Sequence, residues 1–147
     1  MDSSFCLPGW KSAGVSDEAR TVVKLSQEAV VHYAAPKLDL LLPEIDSLLT
    51  SPDGPPVDSD TVNAAELFAF LLPRFVPLPE VSADPDGEIS FDWLGPSGKM
   101  FSVSVNKQNR LAYAGWFGEN SRNHGIEQLA ESCPQEILRG IERVGRR

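Results

Sequence analysis

The chain has 147 residues, of which 41% are hydrophobic and 23% charged, a composition that suits one folded domain and argues against a wholly disordered protein. Acidic residues outnumber basic residues by 21 to 13, so the formal net charge is -8. Direct nucleic-acid binding is not expected of so acidic a chain, because basic side chains supply most of the affinity for phosphates.

The charge is distributed unevenly along the sequence. Residues 39–98 hold twelve acidic residues against Arg74 alone, a net charge of -11, whereas residues 99–147 hold eight basic and five acidic residues, a net charge of +3. The acidic segment predicts a protein partner with a basic surface, since opposite charges steer association.

The compartment can be predicted from what the sequence lacks. No run approaches the about 18 to 20 consecutive apolar residues of a membrane span. The opening MDSSFCLPGWKSAG has neither the basic start nor the apolar core of a secretory signal. Cys6 and Cys133 show no CxxC or metal-ligand spacing, which favours two reduced thiols over a disulfide between the termini. We expect a cytoplasmic protein without membrane contact, cofactor or bound metal.

The first half of the chain is predicted to be helical. Residues 1–15 form an arm, and residues 16–147 form a single α+β domain that begins with a helical part over 16–72. Apolar residues at helical spacing predict a helix over 17–34. The aliphatic cluster at 38–49 is interrupted by Pro43, so either a short helix starts near Leu42 or a longer helix kinks at the proline. After a rigid connector at 51–56, Asp58 or Ser59 caps a helix that Pro73 ends.

Residues 80–118 carry the signature of an antiparallel meander. Large apolar and polar residues alternate along 89–93, 101–105 and 111–113, and turn residues separate these runs. Residues 80–83 add a fourth strand across the turn at 84–87, so three to four strands are predicted. Helices must cover the apolar face, because a patch of that size would otherwise be exposed.

The opposite face of the predicted sheet is unusual because its side chains are small. Ser90, Ser102 and Ser104, with two alanines, stand where lysine, glutamate or threonine are common. A flat surface of this kind suits the approach of a partner or of a second copy in a homodimer; the alternative is that the N-terminal segment of the chain covers it. The residues expected to bind a partner are Asp84, Asp86, Glu88, Asp92, Ser90, Ser102, Ser104 and Trp116.

The C-terminal part is predicted to be a loop followed by a helix. Residues 119–131 are polar and show no strong period. Ser132, Cys133, Pro134 and Gln135 are typical of a helix start, so a C-terminal helix over 133–145 is expected to pack on the sheet.

Candidate chemistry is sparse. His124, expected in a loop after a strand end, is the best single candidate, because a histidine can exchange protons near neutral pH. Cys133 could gain a lowered pKa at the start of the last helix and act with His124. The run Asp84 to Glu88 resembles a calcium loop, but it lacks the full ligand pattern and is explained by a hairpin turn. A structural role for all these residues is the favoured interpretation.

The segment LPEVSADPDGEISFDW at 78–93, followed by FSVSV at 101–105 and LAYAG at 111–115, resembles a loose group of small bacterial proteins. In that group a helical N-terminal part precedes a PDG hairpin and a short meander. The resemblance covers about residues 48–144. It implies the α+β fold and a bacterial or mobile-element origin, and it implies no activity.

These observations lead to three functional hypotheses. The first is a non-enzymatic regulatory protein that binds a macromolecular partner, such as an inhibitor or antitoxin-like component of a bacterial defence or mobile-element system. The second is an inhibitor whose carboxylates mimic the phosphates of a nucleic acid on a basic protein. The third is a small hydrolase or transferase that uses His124.

Overall fold

A computed structural model describes residues 37–145, so the expected arm at 1–15 and helix at 17–34 lie outside the described residues. Within 37–145 the chain forms three helices and a five-stranded sheet, an α+β fold as predicted. The elements are α1 (Lys37–Ser47), α2 (Ser59–Leu71), β1 (Glu80–Ala83), β2 (Ile89–Leu94), β3 (Met100–Val105), β4 (Arg110–Trp116), β5 (Arg122–Gln128) and α3 (Gln135–Gly145). None of these helices is long and apolar enough to cross a bilayer.

The sheet is a simple meander in which every strand pairs antiparallel with the next, in the order β1-β2-β3-β4-β5. Short polar turns make this order possible, and two of them place asparagine in the left-handed region, at Asn109 (φ 61°) and Asn120 (φ 62°). The sequence predicts three to four strands, and the structure has five. The additional strand, β5, follows the turn that contains Asn120.

Residues 119–131 contain β5, although they lack the alternation expected of a strand. Its inward positions are Asn123, Gly125 and Glu127, none of which is apolar. The Tyr113 ring explains this composition, because a Cβ atom on Gly125 would lie 2.5 Å from the Tyr113 hydroxyl oxygen. The Tyr113 ring of β4 thus leans over β5 and supplies apolar cover that this edge strand does not provide itself.

The α2 helix is bounded by residues that satisfy its end groups. Asp58 caps α2 by accepting hydrogen bonds from the Thr61 amide at 2.9 Å and the Thr61 hydroxyl at 3.1 Å. The α2 helix ends before Pro73, as predicted. In α1 the helix is continuous with Pro43 inside it, so the longer of the two predicted helices is the one that forms. The exposed Pro43 ring lies on the side away from the buried Leu41 and Ile45.

The core lies between the helices and one face of the sheet, which we call the inner face. Phe91 of β2 meets Phe68 of α2 edge to face, with ring centroids 4.9 Å apart. On β3 the Phe101 ring packs under α3, where Gly140 leaves room for it. The alternating large residues predicted to point inward are buried or half-buried: Ile89, Phe91, Trp93, Phe101, Val103, Val105, Leu111 and Tyr113.

Candidate binding surface

The other face of the sheet, which we call the outer face, is arranged as a grid of cross-strand rows. The strand register places at most one residue of each row on each strand. From the end near the β2–β3 turn, the first row is Leu94, Met100, Trp116 and Arg122; the second is Glu80, Asp92, Ser102, Ala114 and His124; the third is Ser82, Ser90, Ser104, Ala112 and Ile126; the fourth includes Glu88, Arg110 and Gln128.

Three carboxylates gather at the β1–β2 turn, at the fourth-row end of the outer face. Oxygen atoms of Asp84, Asp86 and Glu88 all lie within 4.8 Å of one another. The turn itself brings them together, since the Asp84 amide donates to the Glu88 carbonyl at 2.7 Å and the Glu88 amide donates to Asp86 at 3.1 Å. Carboxylate oxygens are ligands that calcium accepts, but the hairpin hydrogen bonds account for the arrangement without an ion.

Two carboxyl groups of this cluster have raised pKa values, so their ionised forms are disfavoured. Burial raises the pKa of the Asp84 carboxyl, and Asp86 and Asp92 raise it further, while a hydrogen bond from the Ser104 hydroxyl at 3.0 Å opposes the rise. Burial also raises the pKa of the Glu88 carboxyl. The negative charges of Asp86 and Asp84 raise this pKa further, while the positive charge of Arg110 lowers it. A cationic partner would relieve this repulsion, which makes the cluster a favourable contact for a basic group.

Asp92 carries a further fixed negative charge towards the middle of the face. Its Oδ1 atom accepts hydrogen bonds from the Ser102 hydroxyl at 2.5 Å and the Ser90 hydroxyl at 3.3 Å. The two serine hydroxyls thus orient this carboxylate. Two strand spacings separate β3 from β5, so Ser102 lies about 10 Å from His124, beyond hydrogen-bond reach of a general base.

Exposed apolar side chains accompany the charges. Leu94 is 62% exposed, Met100 is 41% exposed, and the two are cross-strand neighbours in the first row. The half-buried Trp116 follows in the same row, and its ring lies against the β2–β3 turn at Gly98. On β5, Ile126 is 61% exposed. This combination of a flat centre, an apolar row and fixed charges is typical of a protein interface.

The two candidate chemical residues lie on opposite sides of the sheet. His124 is exposed on the outer face, in β5 rather than in the expected loop, with Ala114 as its cross-strand neighbour. Cys133 belongs to the core, and burial raises its pKa to about 12 instead of lowering it. The thiol is therefore neutral near pH 7, and the pair suggested by their nearness in sequence does not meet.

An apolar concavity lies away from the outer face. The proline-containing segment before β1 and the α3 helix enclose an open groove of about 630 Å³. Phe75 at its rim is 78% exposed, and Val76, Leu138 and Ile141 line it together with Arg139, Glu142 and other residues. Neither His124 nor Cys133 contributes to this lining.

Sequence reasoning identified the acidic and serine residues of the outer face but missed those that complete it. Leu94, Met100, Arg110, Arg122 and Ile126 were not expected there. Leu94 and Met100 flank the predicted turn, where the alternation alone assigns them outward positions. The outward positions of Ile126 and Arg122 can be predicted only once β5 is recognised. The turn residues Gly118 and Asn120 indicate that strand, by analogy with the asparagine turn before β4.

The comparisons with known proteins supply no family for this surface. No protein-family model, curated protein or solved structure matches the chain.

Proposed function

We propose that this chain is a non-enzymatic regulatory protein that binds a basic protein partner through the outer face of its sheet. One observation carries the proposal: a cluster of carboxylates and a row of exposed apolar side chains occupy the same face, around a centre of small residues. Charges alone are common on protein surfaces, and so are single exposed leucines. Their combination on one flat face supports a binding role.

The two kinds of residue would serve different parts of the binding process. Asp84, Asp86, Glu88 and Asp92 attract a basic surface over several ångströms and accelerate its approach. Trp116 and its neighbours Leu94 and Met100 then exclude water at the contact and supply most of the affinity. The flat centre made by Ser90, Ser102 and Ser104 would let a partner approach the backbone closely.

A narrower form of the proposal concerns what the partner does. A basic surface that accepts this face could be one that otherwise holds a nucleic acid, with the carboxylates standing where phosphates would lie. The chain would then act as an inhibitor or an antitoxin-like component. The enzyme alternative receives less support, because His124 has Ala114 across the strand and Arg122 and Ile126 beside it on the outer face.

The test is affinity capture from a bacterial extract with the full chain as bait. The wild type is compared with the triple variant Asp84→Asn, Glu88→Gln, Asp92→Asn, in which the amides preserve shape and hydrogen-bond acceptors. Because exposed ion pairs contribute up to about 1 kcal/mol each, the variant should bind the captured basic partner about tenfold more weakly. Binding of the wild type should also weaken as salt rises to physiological levels.

A matched control removes the same charge elsewhere. Glu44, Asp46 and Asp53 are exposed and lie on α1 and the following connector, so their conversion to amides should leave capture unchanged. If both variants lost binding equally, the loss would depend on net charge alone, which would contradict a role for the outer face. Simultaneous binding of nucleic acid and this chain to the partner would contradict the narrower inhibitor form alone.

A further inference from the structure

The outer face is divided by charge along the strand order. Carboxylates occupy the β1 and β2 side, with Glu80 and Asp92 in the second row and Glu88 in the fourth. Basic side chains occupy the β4 and β5 side, with Arg110 and Arg122. The middle strand β3 presents the small side chains Ser102 and Ser104, together with Met100. The face therefore carries both signs of charge, one on each side of a nearly neutral axis.

A surface divided in this way is complementary to itself. Consider two copies placed face to face with a two-fold axis running along β3. The rotation superposes β2 of one copy on β4 of the other, and β1 on β5, while each row keeps its position along the strands. The β1 and β2 side of each copy then faces the β4 and β5 side of the other, so every contact occurs twice, as an isologous interface requires.

Two of the four rows, the first and the fourth, bring complementary side chains together, whereas the second row places Asp92 opposite Ala114 of the second copy. In the first row, Leu94 of one copy meets Trp116 of the second copy, and Met100 meets Met100 on the axis. In the fourth row, Glu88 meets Arg110 of the second copy. Serine faces serine or alanine in the centre, which leaves the two sheets free to approach to the about 10 Å spacing of packed sheets or closer.

We propose that the outer face is a self-complementary interface through which two copies of this chain form a two-fold dimer, with β3 on the axis. The inference does not depend on the proposed function, because it concerns the chain alone. Where both hold, the dimer covers the acidic residues, and a basic partner must compete with the second copy for them.

The size of the face limits the strength of this dimer. Five strands about 4.8 Å apart and about six residues long span about 20 Å by about 20 Å, so two copies bury on the order of 800–1,000 Å² in total. Stable complexes bury about 1,200–2,000 Å², and smaller contacts belong to transient pairs. Association is therefore expected in the micromolar range, with monomer and dimer exchanging.

The experiment is sedimentation velocity of the purified full chain over the micromolar concentration range, alone and in mixtures. The wild type should pass from monomer to dimer as concentration rises. Glu88→Arg and Arg110→Glu should each raise the dissociation constant at least tenfold, since each places like charges in contact twice per dimer. Arg74→Glu, an exposed site outside the sheet with the same charge change as Arg110→Glu, should dimerise like the wild type.

Mixing the two weakened variants gives the decisive result. In the mixed dimer both contacts between positions 88 and 110 again join opposite charges, so association should recover to near the wild-type strength. Circular dichroism of each variant checks that the fold is kept. A monomer at every concentration, association that Arg110→Glu leaves unchanged, or a mixture that stays monomeric would each overturn the proposal.

Discussion

Replacement of Gly140 by alanine tests the contact between α3 and the sheet. Helix propensity alone would favour the change, since alanine is about 1 kcal/mol better than glycine inside a helix. The new Cβ atom, however, would lie 2.1 Å from Cε1 and 2.4 Å from Cζ of Phe101. That ring is fully buried and has the rings of Trp93 and Tyr113 around it, so it has little room to move.

The two effects differ in size, and the steric one should prevail. Overpacking in a closed core costs about 1–3 kcal/mol, and a clash more than 1 Å inside ordinary contact belongs at the upper end. After the gain in helix propensity, Gly140→Ala should lower the free energy of unfolding by about 2 kcal/mol, which corresponds to a melting temperature about 6 °C lower for a chain of this length. Urea unfolding followed by circular dichroism measures the first quantity and a thermal scan the second.

Gly145 provides a matched control in the same helix. A Cβ atom there meets no other atom within 4 Å, so Gly145→Ala should leave stability unchanged or raise it by a few tenths of a kcal/mol. A Gly140→Ala variant as stable as Gly145→Ala would contradict the packing of α3 on Phe101. The helix would then have to lie farther from β3 than the structure places it.

Three further predictions concern single groups. Asp58→Ala should lower the free energy of unfolding by about 1 kcal/mol at pH 7, because α2 loses its cap. The hydrogen bond from the Thr61 amide lowers the pKa of Asp58 in the folded chain, so this loss should shrink as the pH falls below 3.8 and through the lower pKa of the folded state. Urea unfolding at several pH values measures it. Glu88→Gln should stabilise the fold at pH 7, because burial raises the pKa of Glu88 and its carboxylate disfavours folding once ionised, and the gain should vanish as the pH falls below 4.5. Burial raises the pKa of Cys133 from 9.0 to about 12. In a Cys6→Ser background, the Cys133 thiol of the folded chain should therefore react with iodoacetamide at pH 8 about a thousandfold more slowly than the thiol of the chain unfolded in urea. Equal reaction rates would contradict the place of Cys133 in the core.

The fold was predictable wherever a local pattern coincides with burial. Alternation along 89–93 and 101–105 corresponds to strands whose large side chains all face one core, so a period of two determines both the strand and its orientation. The α2 helix was equally predictable from the sequence, because residues adjacent in the chain determine both its cap at Asp58 and its end before Pro73. These elements need no knowledge of distant contacts.

The fifth strand was missed because its cover comes from elsewhere in the chain. Tyr113 lies on β4 as the direct cross-strand partner of Gly125, and its ring takes the place of an apolar side chain at that position. A strand whose apolar cover is supplied by its neighbour shows no period of its own. For the same reason the sequence predicts a loop at His124 and does not reveal the basic side of the outer face.

The possibility that Cys133 acts with His124 rested only on their nearness in the sequence. Nine residues separate them, but β5 and the turn into α3 place one on the outer face and the other in the core. By contrast, Asp84 and Ser104 are twenty residues apart and share a hydrogen bond. The meander brings such residues together across strands, which only the register can show.

The rate at which a thiol at position 102 reacts measures the accessibility of the outer face. Ser102→Cys, made in a Cys6→Ser background, places one reactive group at the centre of that face, whereas Lys107→Cys places one in the exposed β3–β4 turn. As protein concentration rises through the micromolar range, labelling at position 102 should slow while labelling at position 107 stays constant. A labelling rate at position 102 that is the same at every concentration would contradict an outer face that binds a second copy.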